Sequence, residues 1–144
     1  MPSSKPEPSS SRAFFGRGLS ESRIGRWVWL WLPVILYMVG IFIASSITDP
    51  PLPQKVPDVS LHGMVYFGLT LLLIRALARE RWSGVTATTL ILAFAIAVVY
   101  GASDEWHQSF VPTRQADMRD LQADASGAFV ATVFAGAWGI IRRL

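Results

Sequence analysis

Four long apolar runs, divided by short polar segments, set the layout of this chain. The first covers about Trp27 to Ser46, the second about Val59 to Ala78 and the third about Val85 to Ala102. The fourth starts between Leu121 and Ala123 and ends at Ile141. Each is close to the ~20 residues that an α-helix needs to cross a hydrocarbon layer of ~30 Å. Backbone groups in lipid must be satisfied within the protein, so apolar runs of this length read as helices. The pattern predicts an all-α membrane protein with four transmembrane helices in an antiparallel bundle. Asp49-Pro50-Pro51-Leu52-Pro53 breaks the chain before the second run, and the short link between the second and third runs forces a hairpin. Pro33 lies inside the first run, where a membrane helix tolerates it. Basic residues precede this run and Ala44-Ser45-Ser46 offers a small-residue cleavage site, as in a signal peptide. The run is long for an h-region of ~7–15 residues, so we read it as an uncleaved anchor.

Composition agrees with the pattern. Of 144 residues, 51% are hydrophobic, enough chain for one domain. Cysteine is absent, which excludes a disulfide, a thiol nucleophile and a thiolate metal site. Residues 1–22 are rich in Ser and Pro and read as a disordered cytoplasmic tail ahead of a membrane domain spanning residues 23–144. With the N-terminus inside, the inner segments hold Lys5, Arg12, Arg17, Arg23, Arg26, Arg75, Arg79, Arg81, Arg142 and Arg143. The outer ones hold only Lys55, Arg114 and Arg119. The positive-inside rule then places both termini in the cytoplasm. Arg75, Arg79 and Arg81 are expected to snorkel to headgroups. Because the basic residues serve topology, no nucleic-acid partner is expected.

Small residues recur four apart in the fourth run, at Ala123, Gly127, Ala131, Ala135 and Gly139. Gly40 and Ala44, and Ala93, Ala97 and Gly101, form shorter stripes. Such stripes let membrane helices approach closely, either within one chain or between copies in a homo-oligomer.

The candidate chemistry lies at the outer ends of the runs. Asp58, His62 and Tyr66 recur four apart and share a helix face. Asp104, Glu105, His107 and Gln108 follow the third run, with Trp106 among them. Pro112 ends any helical continuation before it, and Arg114 comes after the turn. Asp117, Asp120 and Asp124 are then three and four apart, on one side of a helix entering the fourth run. The segment between the third and fourth helices reads as a polar turn followed by a helix. Ionisable groups beside a membrane span are costly and mark function by default.

Three readings fit these residues. In the first, a binding site, Arg114 clamps a phosphate or carboxylate, Trp106, Phe110 and Tyr66 face an acyl or isoprenyl chain, and the carboxylates, His62 and Gln108 complete the pocket. A lipid-linked envelope precursor at the outer leaflet would present both features. The second is an enzyme, a membrane-embedded hydrolase or transferase with Asp104, Glu105 and His107 at its centre. It would work either without metal or with a divalent cation held by His62, His107 and Asp104. In the third, a structural accessory protein, Arg114 pairs with Asp117 or Asp124, His62 bonds Asp104 or Asp58, and the network pins the outer segment to the bundle.

At these residues the chain resembles the VanZ-like family of small bacterial membrane proteins. The resemblance is carried by Tyr100-Gly101, Asp104-Glu105-Trp106-His107-Gln108, Phe110-Val111-Pro112, Arg114, Asp117, Asp120 and Ala123-Asp124. Asp58, His62, Tyr66 and Ser45-Ser46 add to it. Thr113 and Val59 depart from the family's usual Gly and Lys. The resemblance implies a four-helix bundle in the bacterial inner membrane, with the lipid bilayer as its first partner. It also carries a family link to glycopeptide resistance, teicoplanin resistance in the founding member. It supplies no mechanism.

Overall fold

The computed structural model describes residues 23–48, 58–112, 114 and 116–142, the side chains of residues 58 and 59 excepted. The expectations for the tail at 1–22, the breaker run at 49–53, Lys55, Thr113, Arg143 and the side chains of Asp58 and Val59 lie outside these residues. The chain forms α1 (Arg23–Ser45), α2 (Asp58–Leu77), a 3-10 turn (Trp82–Gly84), α3 (Ala87–Gln108) and α4 (Met118–Ile141), with no strand among the described residues. The four helices have 23, 20, 22 and 24 residues. At 1.5 Å per residue each is about 30–36 Å long, which matches a hydrocarbon layer of about 30 Å. All four are long and apolar enough to cross a membrane, so this is a multi-pass, all-α membrane protein.

Helix boundaries depart from the apolar runs at the polar end. α3 continues through Gln108 instead of stopping near Ala102, and α4 starts at Met118. Asp104, Glu105 and Gln108 are buried, so their helical backbone is protected although their side chains are polar. An apolar run ends at the first charge, whereas a helix ends where its backbone hydrogen bonds do. Asp117 caps α4, its side chain accepting the Arg119 amide at 2.8 Å.

α2 and α4 run in the same direction and make the most intimate pair, with α3 packed on both. Small residues set this closeness. A Cβ on Gly127 would collide with the backbone of Gly63, and one on Gly63 would lie 3.5 Å from the Ala123 carbonyl. Ala123, Ala131, Ala135 and Gly139 are buried along the same helix, so the stripe on α4 packs within the chain. Ala93, Ala97 and Gly101 do likewise on α3. Apolar side chains such as Ile35, Leu36, Ile91, Val99, Phe129 and Val133 point outward, as lipid-facing residues should.

α1 is the peripheral helix. It buries only Leu30, Val34 and Ser45 and leans mainly on α2. Tyr37 donates to the Val65 carbonyl at 3.1 Å, and Tyr100 donates to the Met38 carbonyl at 2.6 Å. At the other end, Pro33 has no amide to offer the carbonyl of Trp29. Arg75 reaches that carbonyl at 3.4 Å, lies over the Trp29 ring and pairs with Glu80. Arg75 therefore ties α1 to the α2–α3 turn where snorkelling was expected. Glu80 also accepts the Trp29 indole N–H at 3.0 Å. These contacts hold a turn in which Arg79 and Glu80 have φ of 53° and 59°. Left-handed backbone costs an L-residue about 1–2 kcal/mol.

Replacing Gly127 with Val is expected to lower the stability of the purified protein by at least about 2 kcal/mol, because the clash is with backbone and cannot be relieved by a rotamer change. A thermal unfolding midpoint in detergent checks this, with Gly40→Ala as the comparison, since a Cβ at Gly40 meets nothing within 4 Å.

Candidate functional site

On α2, α3 and α4 the inward face changes character along its length. On α3 the buried residues pass from Thr89, Ala93, Ala97 and Gly101 to Asp104, Glu105 and Gln108. On α4 they pass from Gly139, Ala135, Ala131 and Ala128 to Asp124. On α2, Leu73, Thr70, Leu69 and Tyr66 are buried and lead to His62. The polar ends meet where α1 and α3 finish and α2 and α4 begin.

The centre of this end is the contact of His62 Nδ1 with Asp124 Oδ1 at 3.0 Å. Asp124 is 1% exposed, and His62 Nε2 also lies 3.9 Å from Asp120 Oδ2. Glu105 is buried, and its Oε2 accepts the backbone N–H of Asp117 at 2.9 Å, tying α3 to the start of α4. His62, Glu105 and Asp120 each offer a ligand atom within 4.8 Å of the others. Three buried polar atoms here, Tyr66 Oη, Glu105 Oε1 and Asp124 Oδ2, have no hydrogen-bond partner.

A second network joins α1 to α3. Ser45 donates to Asp104 Oδ1 at 2.7 Å, and Gln108 donates to Asp104 Oδ2 at 3.1 Å. His107 Nε2 meets the Ser46 hydroxyl at 3.0 Å, and its ring stacks on Phe42 with centroids 4.3 Å apart. Arg114 donates from Nε to the carbonyl of Ile47 at 3.3 Å and pairs with no carboxylate among the described residues. Between the two networks a cleft of about 490 Å³ opens along α1 and α2. Its walls include Leu36, Tyr37, Gly40, Ile41, Ala44, Leu61, Val65 and Tyr66. Its polar end is Ser45, His62, Asp104, Gln108 and Arg114.

The sequence profile of the VanZ/LLP1 family matches residues 28–139. The chain belongs to the VanZ/LLP1 family. That match takes in α2 and α3 whole, most of α1 and α4, and both polar networks. No curated protein and no solved structure matches the chain.

Within this VanZ/LLP1 bundle the two histidines occupy the same end but have different partners, His62 facing α4 and His107 facing α1. His62, His107 and Asp104 thus do not converge on one point. The groups that do converge are His62, Glu105 and Asp120. Of the pairings expected for a purely structural network, His62 takes Asp124 in place of Asp104, and Arg114 takes a backbone carbonyl in place of Asp117 or Asp124. Asp117 is an exposed cap, not a member of the helical carboxylate face. Trp106 is 69% exposed and meets Phe110 edge-on at 5.3 Å, so both aromatics stand outside the cleft.

Two features escaped the sequence reading. Ser45, part of the small-residue end of the first run and of the family resemblance, was given no partner, yet it holds Asp104. Glu105 holds the start of α4. The spacing of Glu105 to Asp117 carries no periodic signal, because the two lie on either side of a turn. Gly40 and Ala44 looked like a helix-packing stripe, but both are exposed and line the cleft.

Ser45→Ala is expected to cost about 1–3 kcal/mol, because Asp104 loses a donor at a buried oxygen. Ser46→Ala, at an exposed hydroxyl, is expected to change stability by less than about 0.5 kcal/mol. Thermal midpoints of the two variants check the contrast.

Proposed function

We propose that this VanZ/LLP1 protein binds a lipid-linked molecule of the bacterial cell envelope in the cleft between α1 and α2. The observation that carries the reading is the division of that cleft into long apolar walls and one polar end. An amphiphile has the same division. Its chain would lie against Leu36, Ile41, Leu61 and Val65, beside the opening left by Gly40. Its head would meet Arg114, whose guanidinium suits a phosphate. Ser45, Asp104 and Gln108 suit the hydroxyl and amide groups of a sugar beyond it. A polyprenyl-phosphate-linked saccharide fits this order of groups.

The proposed orientation keeps both termini in the cytoplasm of a bacterial inner membrane and the polar end outside. The charge bias along the sequence supports it. The family link to glycopeptide resistance fits a protein that handles envelope precursors, or lipid-bearing antibiotics, at the outer leaflet.

The test is binding by the purified protein in nanodiscs, read by native mass spectrometry. The probes are a polyprenyl-phosphate-linked disaccharide, the bare polyprenyl phosphate and phosphatidylethanolamine. The saccharide-bearing lipid should be retained over phosphatidylethanolamine. Gly40→Phe should keep normal membrane abundance, since nothing lies within 4 Å of the added Cβ, while retention of the lipid falls at least about tenfold. Arg114→Gln should weaken both polyprenyl lipids together, by about 1.5–3 kcal/mol for a charge-assisted hydrogen bond. Equal retention of all three lipids, or indifference to Gly40→Phe, would overturn the reading.

A further inference from the structure

We infer that His62, Glu105 and Asp120 form a binding site for a divalent transition-metal ion of the zinc or manganese class. The site is distinct from the amphiphile cleft, of whose lining it shares only His62.

The three residues come from three helices, α2, α3 and α4, and their ligand atoms all lie within 4.8 Å of one another. Zinc bonds to N and O of about 2.0–2.2 Å put tetrahedral donors about 3.4 Å apart. Side-chain rotation of roughly an ångström therefore closes the set. His62 Nε2 already lies 3.9 Å from Asp120 Oδ2.

The orientation of His62 is what a metal ligand requires. A ligating imidazole usually gives its other ring nitrogen to a carboxylate, which fixes the tautomer and turns the remaining lone pair toward the ion. His62 Nδ1 is held by Asp124 at 3.0 Å, and Nε2 is the atom that faces Asp120. Asp124, 1% exposed, is thus a positioning residue for the ligand.

A second observation is independent of this spacing. Glu105 is only 6% exposed, and its Oε1 has no hydrogen-bond partner. A buried carboxylate oxygen without a donor is costly inside a membrane bundle. The other buried carboxylate of the cluster, Asp124, likewise has an unpartnered Oδ2. A bound cation supplies the contact that Glu105 Oε1 lacks.

One imidazole and two carboxylates select the class of ion. Calcium and magnesium favour all-oxygen shells, whereas a mixed N/O set suits zinc or manganese. Three protein ligands leave coordination positions for water or for a ligand oxygen. Asp104 and His107 stay out of the set because Ser45, Gln108 and Ser46 hold them.

The full-length protein, purified in detergent and stripped with EDTA, is titrated with Zn²⁺, Mn²⁺ and Mg²⁺ in the absence of added lipid. Bound metal is counted by mass spectrometry and affinity is read by calorimetry. One Zn²⁺ or Mn²⁺ per chain is expected, with Mg²⁺ at least about tenfold weaker. Glu105→Gln and Asp120→Asn should each weaken binding at least about tenfold and abolish the metal-induced rise in thermal midpoint. Gln at 105 keeps a carbonyl that can accept the Asp117 amide, so the fold contact survives the change. His107→Gln and Gly40→Phe should bind metal as the wild type does, which separates this site from the cleft. Stoichiometry no higher than the detergent blank would overturn the inference. So would equal affinity for Mg²⁺, or loss of metal in His107→Gln with retention in Glu105→Gln.

Discussion

A carboxylate sealed inside a bundle of membrane helices must be met by a donor from another helix, and here the contact of Asp124 with His62 meets that demand. It joins α4 to α2 at 3.0 Å with Asp124 only 1% exposed. Side chains this short can touch only if the two backbones are close. Gly63 and Gly127, one position from His62 and three from Asp124, allow that approach. The glycine pair and the charged pair therefore depend on each other. Without the close approach Asp124 would be stranded in a low-dielectric interior, and without Asp124 the tight crossing would bring no polar group to its partner.

α3 divides the polar end into two halves. Asp104 and Glu105 are successive residues, and successive side chains on a helix diverge by about 100°. Asp104 turns to α1, where Ser45 holds it, while Glu105 turns to the start of α4, where it accepts the Asp117 amide. The two histidines follow the same division, His107 with α1 and His62 with α4. What reads along the chain as one dense acidic run is two networks on different faces of a single helix, with the cleft opening between α1 and α2.

The rest of the bundle explains why a cleft can exist there. α2, α3 and α4 are drawn together by small residues, whereas α1 carries its bulky apolar side chains outward and buries few. Two tyrosine hydroxyls on backbone carbonyls, and the Trp29, Arg75 and Glu80 cluster at the far end, tie α1 to the bundle at a few points. Gly40 and Ala44 then leave the gap unfilled.

Much of this is legible in the sequence. Span number and approximate length follow from how many consecutive apolar residues lipid requires, a property each segment has on its own. The family followed from residue identities around Asp104-Glu105-Trp106-His107, and these also marked which end of the molecule carries the polar chemistry. The partners of those residues were not legible. His62 was matched to Asp104 or Asp58, Arg114 to an aspartate, and Trp106 to a ligand. Each of these choices turns on the rotation of one helix against another, and periodicity within one helix does not record that rotation. Sequence alone determined that four helices cross a membrane and gather ionisable groups at one end, because hydropathy and length are local. Only the tertiary structure decided that Glu105 and Asp120 join His62, that Ser45 holds Asp104 and that Gly40 faces open space, because these depend on how closely and at what angle separate helices meet.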